Sequence, residues 1–139
     1  MNDPYSLHRF VDAQTGVYEQ VRSELRAGRK SGHWMWFIFP QLRGLGHSHM
    51  AEIFAIDSMQ EAAAYLGHSV LGPRLRECTQ LMIQAQGHTL EEILGTPDNL
   101  KFRSSMTLFA QATTDNEVFV EALRIYCNGE LDRSTLQRL

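Results

Sequence analysis

Apolar side chains recur at i, i+3 and i+4 along nearly the whole chain, a rhythm that suits helices packed on one another. Leu7, Phe10 and Val11 keep it, with Gln14 at the same spacing, and Val17, Val21 and Leu25 carry it onward. Ser6 is the candidate N-cap of this first segment. Gly16 is placed to break or kink it into two helices, and Gly28 sits where a residue just past a helix end belongs. Ser58 with Glu61, and Thr89 with Glu92, have capping-box spacing, with Gly67 and Gly95 as the corresponding stops. Residues 69–86 read as a longer helix with Leu71, Leu75, Cys78, Met82 and Ala85 on one face. Asp98, Asp115 and Asp132 are candidate caps of three further helices, the second ended by Asn128-Gly129. No alternating strand pattern survives except a stretch too short to decide, residues 36–39. The expectation is a single compact all-α domain over residues 1–139, built of seven or eight short-to-medium helices.

Composition agrees with a packed domain. The 139 residues are 43% hydrophobic and include seven Phe, four Tyr and two Trp, which excludes a disordered chain. A formal net charge of −3 offers no extended nucleic-acid surface and no attraction to anionic membranes. The longest apolar run, residues 34–40, is far shorter than the ~20 residues that span a bilayer. The N-terminal residues lack a signal-peptide pattern, so the cytoplasm is the expected location. Cys78 lies on a helical stripe and reads as a buried, inert thiol, and a disulfide to Cys127 is unforced. His47-Ser48-His49 has only Glu52 near it, which does not complete a zinc set, so no metal is expected. Gly44-Leu45-Gly46 lacks dinucleotide-fingerprint spacing, no phosphate-loop or hydrolase signature occurs, and no cofactor is expected.

Two segments depart from plain scaffold. Residues 29–41 crowd Arg29, Lys30, Ser31, Gly32, His33, Trp34, Met35, Trp36, Phe37, Ile38, Phe39, Pro40 and Gln41 together, an apolar run with no amphipathic period behind a cationic pair. One reading makes the aromatics the centre of the core and the cations partners of a helix C-terminus. The other is an anion pocket, with Lys30, the Ser31 hydroxyl and the Gly32 backbone holding a phosphate or carboxylate while Trp34 or Trp36 stacks on a flat ring. In the second segment, Lys101, Ser104, Ser105 and Leu108 share one side of a mostly apolar helix, making a polar, cationic notch. Back-bonding of Ser and Thr to the preceding turn is its plain explanation, and a cleft wall opposite His33 and Trp34 is the functional one. Gln41 is a further candidate, alongside Asp98 and Asp132. Only two of the 13 basic residues are lysines, Lys30 and Lys101, and they fall one in each segment.

Taken together, the residue 28–41 block, the Phe10-Val11-Asp12-Ala13-Gln14 stretch, Ala64-Tyr65-Leu66, Leu71-Gly72-Pro73-Arg74-Leu75, Pro97-Asp98 and Ser104-Ser105-Met106-Thr107-Leu108-Phe109 form a recognisable pattern. The chain resembles the bacterial family of unknown function numbered 1810, some of whose members carry a calpastatin label. The resemblance runs from about Tyr5 to Leu139, and His47 and His49 fall outside it. It implies a compact helical domain and a small stand-alone bacterial protein, and it supplies no reaction. The calpastatin label conflicts with the residues, because such an inhibitor is an extended polar chain that folds on its target, whereas this chain is patterned to pack.

Two functions follow as expectations. The first is binding of a small anionic, nucleotide-like ligand in a cleft between His33-Trp34 and the Lys101-Ser104 helix, with Lys30, Ser31, Trp34, Trp36, Gln41, Lys101 and Ser104 as contacts. Were the site catalytic, His33 would be the acid or base, and Lys101 or Arg103 would stabilise developing charge. The second is a non-catalytic interaction or regulatory module whose protein partner the residues do not identify.

Overall fold

A computed structural model describes residues 2–139, and among them the chain forms ten helices and no strand. They are α1 (His8–Gln14), α2 (Tyr18–Arg26), α3 (Met35–Ile38), α4 (His49–Ile53), α5 (Met59–Gly67), α6 (Leu71–Gln84), α7 (Leu90–Leu94), α8 (Asp98–Ala112), α9 (Glu117–Cys127) and α10 (Arg133–Arg138). The expectation of seven or eight helices therefore falls short by α3 and α4. Each is about one turn long, too short to carry a period, and residues 36–39 fall largely within the first of them.

Helix α8 is the hub: α5, α7, α9 and α10 all pack on it, while α6 bridges α2, α5 and α9. Its seven consecutive residues 104–110 are buried, as expected of a helix surrounded on all sides. Two of the hydroxyl groups there bond back along the helix, Ser104 Oγ donating to the Leu100 carbonyl (3.2 Å) and Thr107 Oγ1 to the Arg103 carbonyl (2.8 Å), while the buried Ser105 hydroxyl has no partner among the described residues. Two separate chains of aromatic contacts run through the core. Phe10 meets Tyr65 edge-on at 5.1 Å, Tyr65 meets Phe109 at 5.3 Å, and Phe39 meets Phe102 edge-on at 5.0 Å. Each such pair contributes about 0.5–1.5 kcal/mol beyond its buried area.

Two glycines fix how helices meet. Gly16 has φ +85° and separates α1 from α2. Gly72 opens α6 so close to α5 that a Cβ there would lie 2.0 Å from the Leu66 carbonyl oxygen.

The caps divide. Thr89 and Glu92 form the full capping box, and Asp132 accepts from the Thr135 amide and hydroxyl. Ser58 caps α5, but Glu61 does not complete the box. It accepts instead from the Asp57 amide and pairs with Arg9 at 2.9 Å. Ser6 is not the cap of α1. Asp3 takes that role, accepting from the Leu7 and His8 amides, and Ser6 has φ +52°. Asp98 is the first residue of α8 rather than its cap, and Asp115 lies outside α9, whose cap position is Asn116. The helix expected over residues 69–86 is Leu71–Gln84, and Gly67 is the last residue of α5 rather than a turn beyond it. Both cysteines are free. Cys78 is fully buried, and burial pushes its thiol up to about 12.

Candidate functional site

After α2 the chain turns at Gly28 (φ +72°), and the Lys30 amide donates to the Ile93 carbonyl at 2.7 Å, anchoring the turn beside α7. The next residues wrap around Glu24, in the last turns of α2. The Ser31 amide (2.7 Å), the Gly32 amide (2.9 Å) and the Trp34 indole N–H (2.9 Å) all donate to one oxygen of its carboxylate, and Gln20 donates to the other at 2.8 Å. Burial alone would raise the Glu24 pKa, but these four donors outweigh it and lower the group to about 2. The backbone of Ser31 and Gly32 is thus an anion nest, and the anion in it is the chain's own carboxylate.

Holding Trp34 this way turns its ring toward Lys30, whose ammonium stands 5.2 Å from the ring centroid and 2.9 Å from Asp98 Oδ2. Lys101, one turn into α8, reaches Asp98 Oδ1 at 3.4 Å and stands 5.3 Å from the Trp36 ring centroid. Both lysines of the protein therefore converge on one aspartate, each over a different tryptophan. Asp98 suits this place, since the positive end of the α8 dipole favours a carboxylate there. Counted over the triad, two ammonium groups face one carboxylate, and all three side chains are at most 22% exposed.

Beside Lys101 lies a small recess of about 10 Å³ whose polar lining is Trp36, Gln41 and Lys101, with Met35, Phe39 and Phe54 among its apolar walls. That volume suits one water-sized group. The Trp36 indole N–H is shielded from solvent and has no acceptor among the described residues. A buried N–H without a partner costs about 1–3 kcal/mol, so it is a standing demand for an oxygen.

The remaining sequence candidates are distributed differently. Trp34 is 3% exposed, sandwiched between Glu24 and Lys30, with no face open to a ring. The Ser104 side chain is buried and its hydroxyl is committed to Leu100. Ser31 and His33 are on the surface. Trp36, Gln41 and Lys101 are the candidates that share the recess. Glu24 was not anticipated, because three of its four donors follow seven to ten residues later in the chain and the motif has no fixed spacing.

A larger cavity, about 490 Å³, opens near the N-terminus between Tyr5, Arg9, Arg43 and Glu61. Its Arg9 is spent on structure, donating to the carbonyls of Tyr5, Ser6, Ile53 and Ala55 and to the Glu61 carboxylate. Among the described residues no group of three or more His, Cys, Asp or Glu is placed to hold a metal ion, and no helix is long and apolar enough to cross a membrane.

Comparison with known proteins gives two matches. The family described as a protein of unknown function (DUF1810) matches residues 4–139. The crystal structure of the conserved hypothetical protein Rv1873 from Mycobacterium tuberculosis is 59% identical, covers 99% of this chain and 98% of its own, and superposes with a TM-score of 0.97. No curated protein matches the chain.

Proposed function

This chain belongs to the DUF1810 family of unknown function, and from that premise we propose that it binds a small anionic ligand at the Trp36, Gln41 and Lys101 recess. The observation that carries the reading is the coincidence of an unpartnered buried donor, the Trp36 indole N–H, with the excess positive charge of Lys30 and Lys101 over Asp98. One carboxylate or phosphate oxygen in the recess would meet the indole N–H, the Lys101 ammonium and the Gln41 amide. The rest of the ligand would lie along the surface past Lys101. With only about 10 Å³ enclosed, the recess grips an oxyanion and does not engulf a base. Recognition of a nucleotide would thus proceed through its phosphate.

A thermal-shift screen against inorganic phosphate, nucleoside monophosphates and small carboxylates tests this. At ten times its Kd a native-state ligand adds about 1.4 kcal/mol, a rise in Tm of roughly 3–5 °C for a domain of this size. The rise should be clearly smaller in Lys101→Met than in the unsubstituted protein. A full set of anions that leaves Tm unmoved, or a rise that Lys101→Met retains in full, refutes the proposal.

A further inference from the structure

A second cationic site lies where α1, α2 and α6 meet. Gln14, at the end of α1, is 1% exposed and fixed on both ends of its amide. Its Nε2 donates to the Phe37 carbonyl at 2.8 Å and to the Tyr65 hydroxyl at 3.4 Å, which turns its Oε1 to accept from Arg74 Nη1 at 3.2 Å. The Arg74 guanidinium also stacks over the Tyr18 ring, 4.5 Å from its centroid. Gln14, Tyr65 and Arg74 come from three separate helices and meet only in the fold.

Arg74 has no carboxylate within 4.0 Å among the described residues, and the reason is local. Glu77, one turn along α6, is its natural partner. Glu77 instead accepts the Tyr18 hydroxyl at 2.5 Å and pairs with Arg22 at 3.3 Å. Glu19, the other nearby acid, is held by Arg22 at 2.7 Å. The surrounding acids are thus committed elsewhere, and a half-buried guanidinium with one protein hydrogen bond faces a cavity of about 280 Å³. Gly16 lines the same cavity, and no atom lies within 4 Å of where its Cβ would be, so the backbone there is open to a ligand.

We propose that this Arg74, Gln14 and Tyr18 cavity is an oxyanion-binding site, in which the free edge of the Arg74 guanidinium takes a carboxylate or a phosphate group in two parallel hydrogen bonds. Gln14 and Tyr18 hold the guanidinium plane in advance, so little side-chain freedom is lost on binding. The fork geometry, rather than charge alone, makes the contact. Glu19, on the rim and 79% exposed at its side chain, opposes the anion.

The test is a ¹H–¹⁵N NMR titration of the whole chain with sodium phosphate and, separately, with sodium acetate at constant ionic strength. The readouts are the Arg74 Nε–H signal and the Gly16 and Tyr18 amides. Saturable shifts at these three signals are expected with at least one anion. Saturation by phosphate alone assigns the site to phosphate groups, and saturation by acetate alone to carboxylates. Arg74→Lys, which keeps the charge and loses the fork, should weaken binding about tenfold. Glu19→Gln, an exposed change that leaves the fold alone, should tighten it about two- to threefold by removing one repelling charge. Shifts that grow linearly with both anions, or affinities unchanged in both variants, overturn the proposal. The Trp36 indole signal reports the other recess in the same spectra, so the two readings fail independently.

Discussion

Glu24→Gln isolates the internal anion of the α2 nest. The substitution keeps the shape and removes the charge, so it approximates the protonated carboxyl. In the fold Glu24 is only 9% exposed and accepts four hydrogen bonds, which lower its pKa from 4.5 to about 2. A depressed carboxylate stabilises the fold above its unfolded value and loses that contribution as pH falls toward the folded value. The difference of about 2.5 units corresponds to about 3 kcal/mol at pH 7, of which less than half persists at pH 3. Urea denaturation of wild type and Glu24→Gln at both pH values measures this directly. The expected gap is about 3 kcal/mol at pH 7, narrowing by about half or more at pH 3. A gap below about 1 kcal/mol, or one that does not change with pH, would refute the idea that the charge of Glu24 organises the Ser31-Gly32-Trp34 turn.

Three further outcomes follow from the packing and the charges. Gly72→Ala forces a Cβ against the Leu66 carbonyl and should cost about 2–3 kcal/mol in chemical denaturation, whereas Gly67→Ala, with open space around it and ordinary helical backbone, should be neutral or slightly stabilising. Asp98→Asn leaves Lys30 and Lys101 facing each other without their shared carboxylate. A loss of about 1–3 kcal/mol is expected, smaller in 1 M salt because the triad is only partly enclosed, and an unchanged midpoint would show that the pairs contribute nothing. In thiol labelling at pH 8 Cys78 should stay unreactive until the protein is unfolded, since it is fully buried and burial pushes its thiol up to about 12, so native Cys127→Ser should show no reactive thiol.

How far these features are legible in the sequence depends on whether they are local. The capping box at Thr89 and Glu92 and the αL stop at Asn128 and Gly129 are local, and they appear where their residues fall. Helices α3 and α4 are local too, but a single turn has no period to read. Asp98 shows the limit of cap logic. Its residue type marks the start of α8, yet its side chain turns away to Lys30, which lies 68 positions earlier, and that pairing depends on the fold. The two lysines stood out by rarity and by their aromatic neighbours, and the structure places both on tryptophan faces. Glu24 and Arg74 gave no such signal. A buried acid on the polar side of a helix, or an arginine deprived of its i+3 partner by a tyrosine from another helix, looks like ordinary solvated charge until the chain is folded.

The most direct test of ligand binding at the lysine-tryptophan face is the Trp36 indole N–H signal followed through a titration with inorganic phosphate. A saturable downfield shift of that signal, clearly smaller in Lys101→Met, is the predicted result. A Trp36 indole that stays fixed through saturating phosphate, phosphomonoester and carboxylate would contradict it.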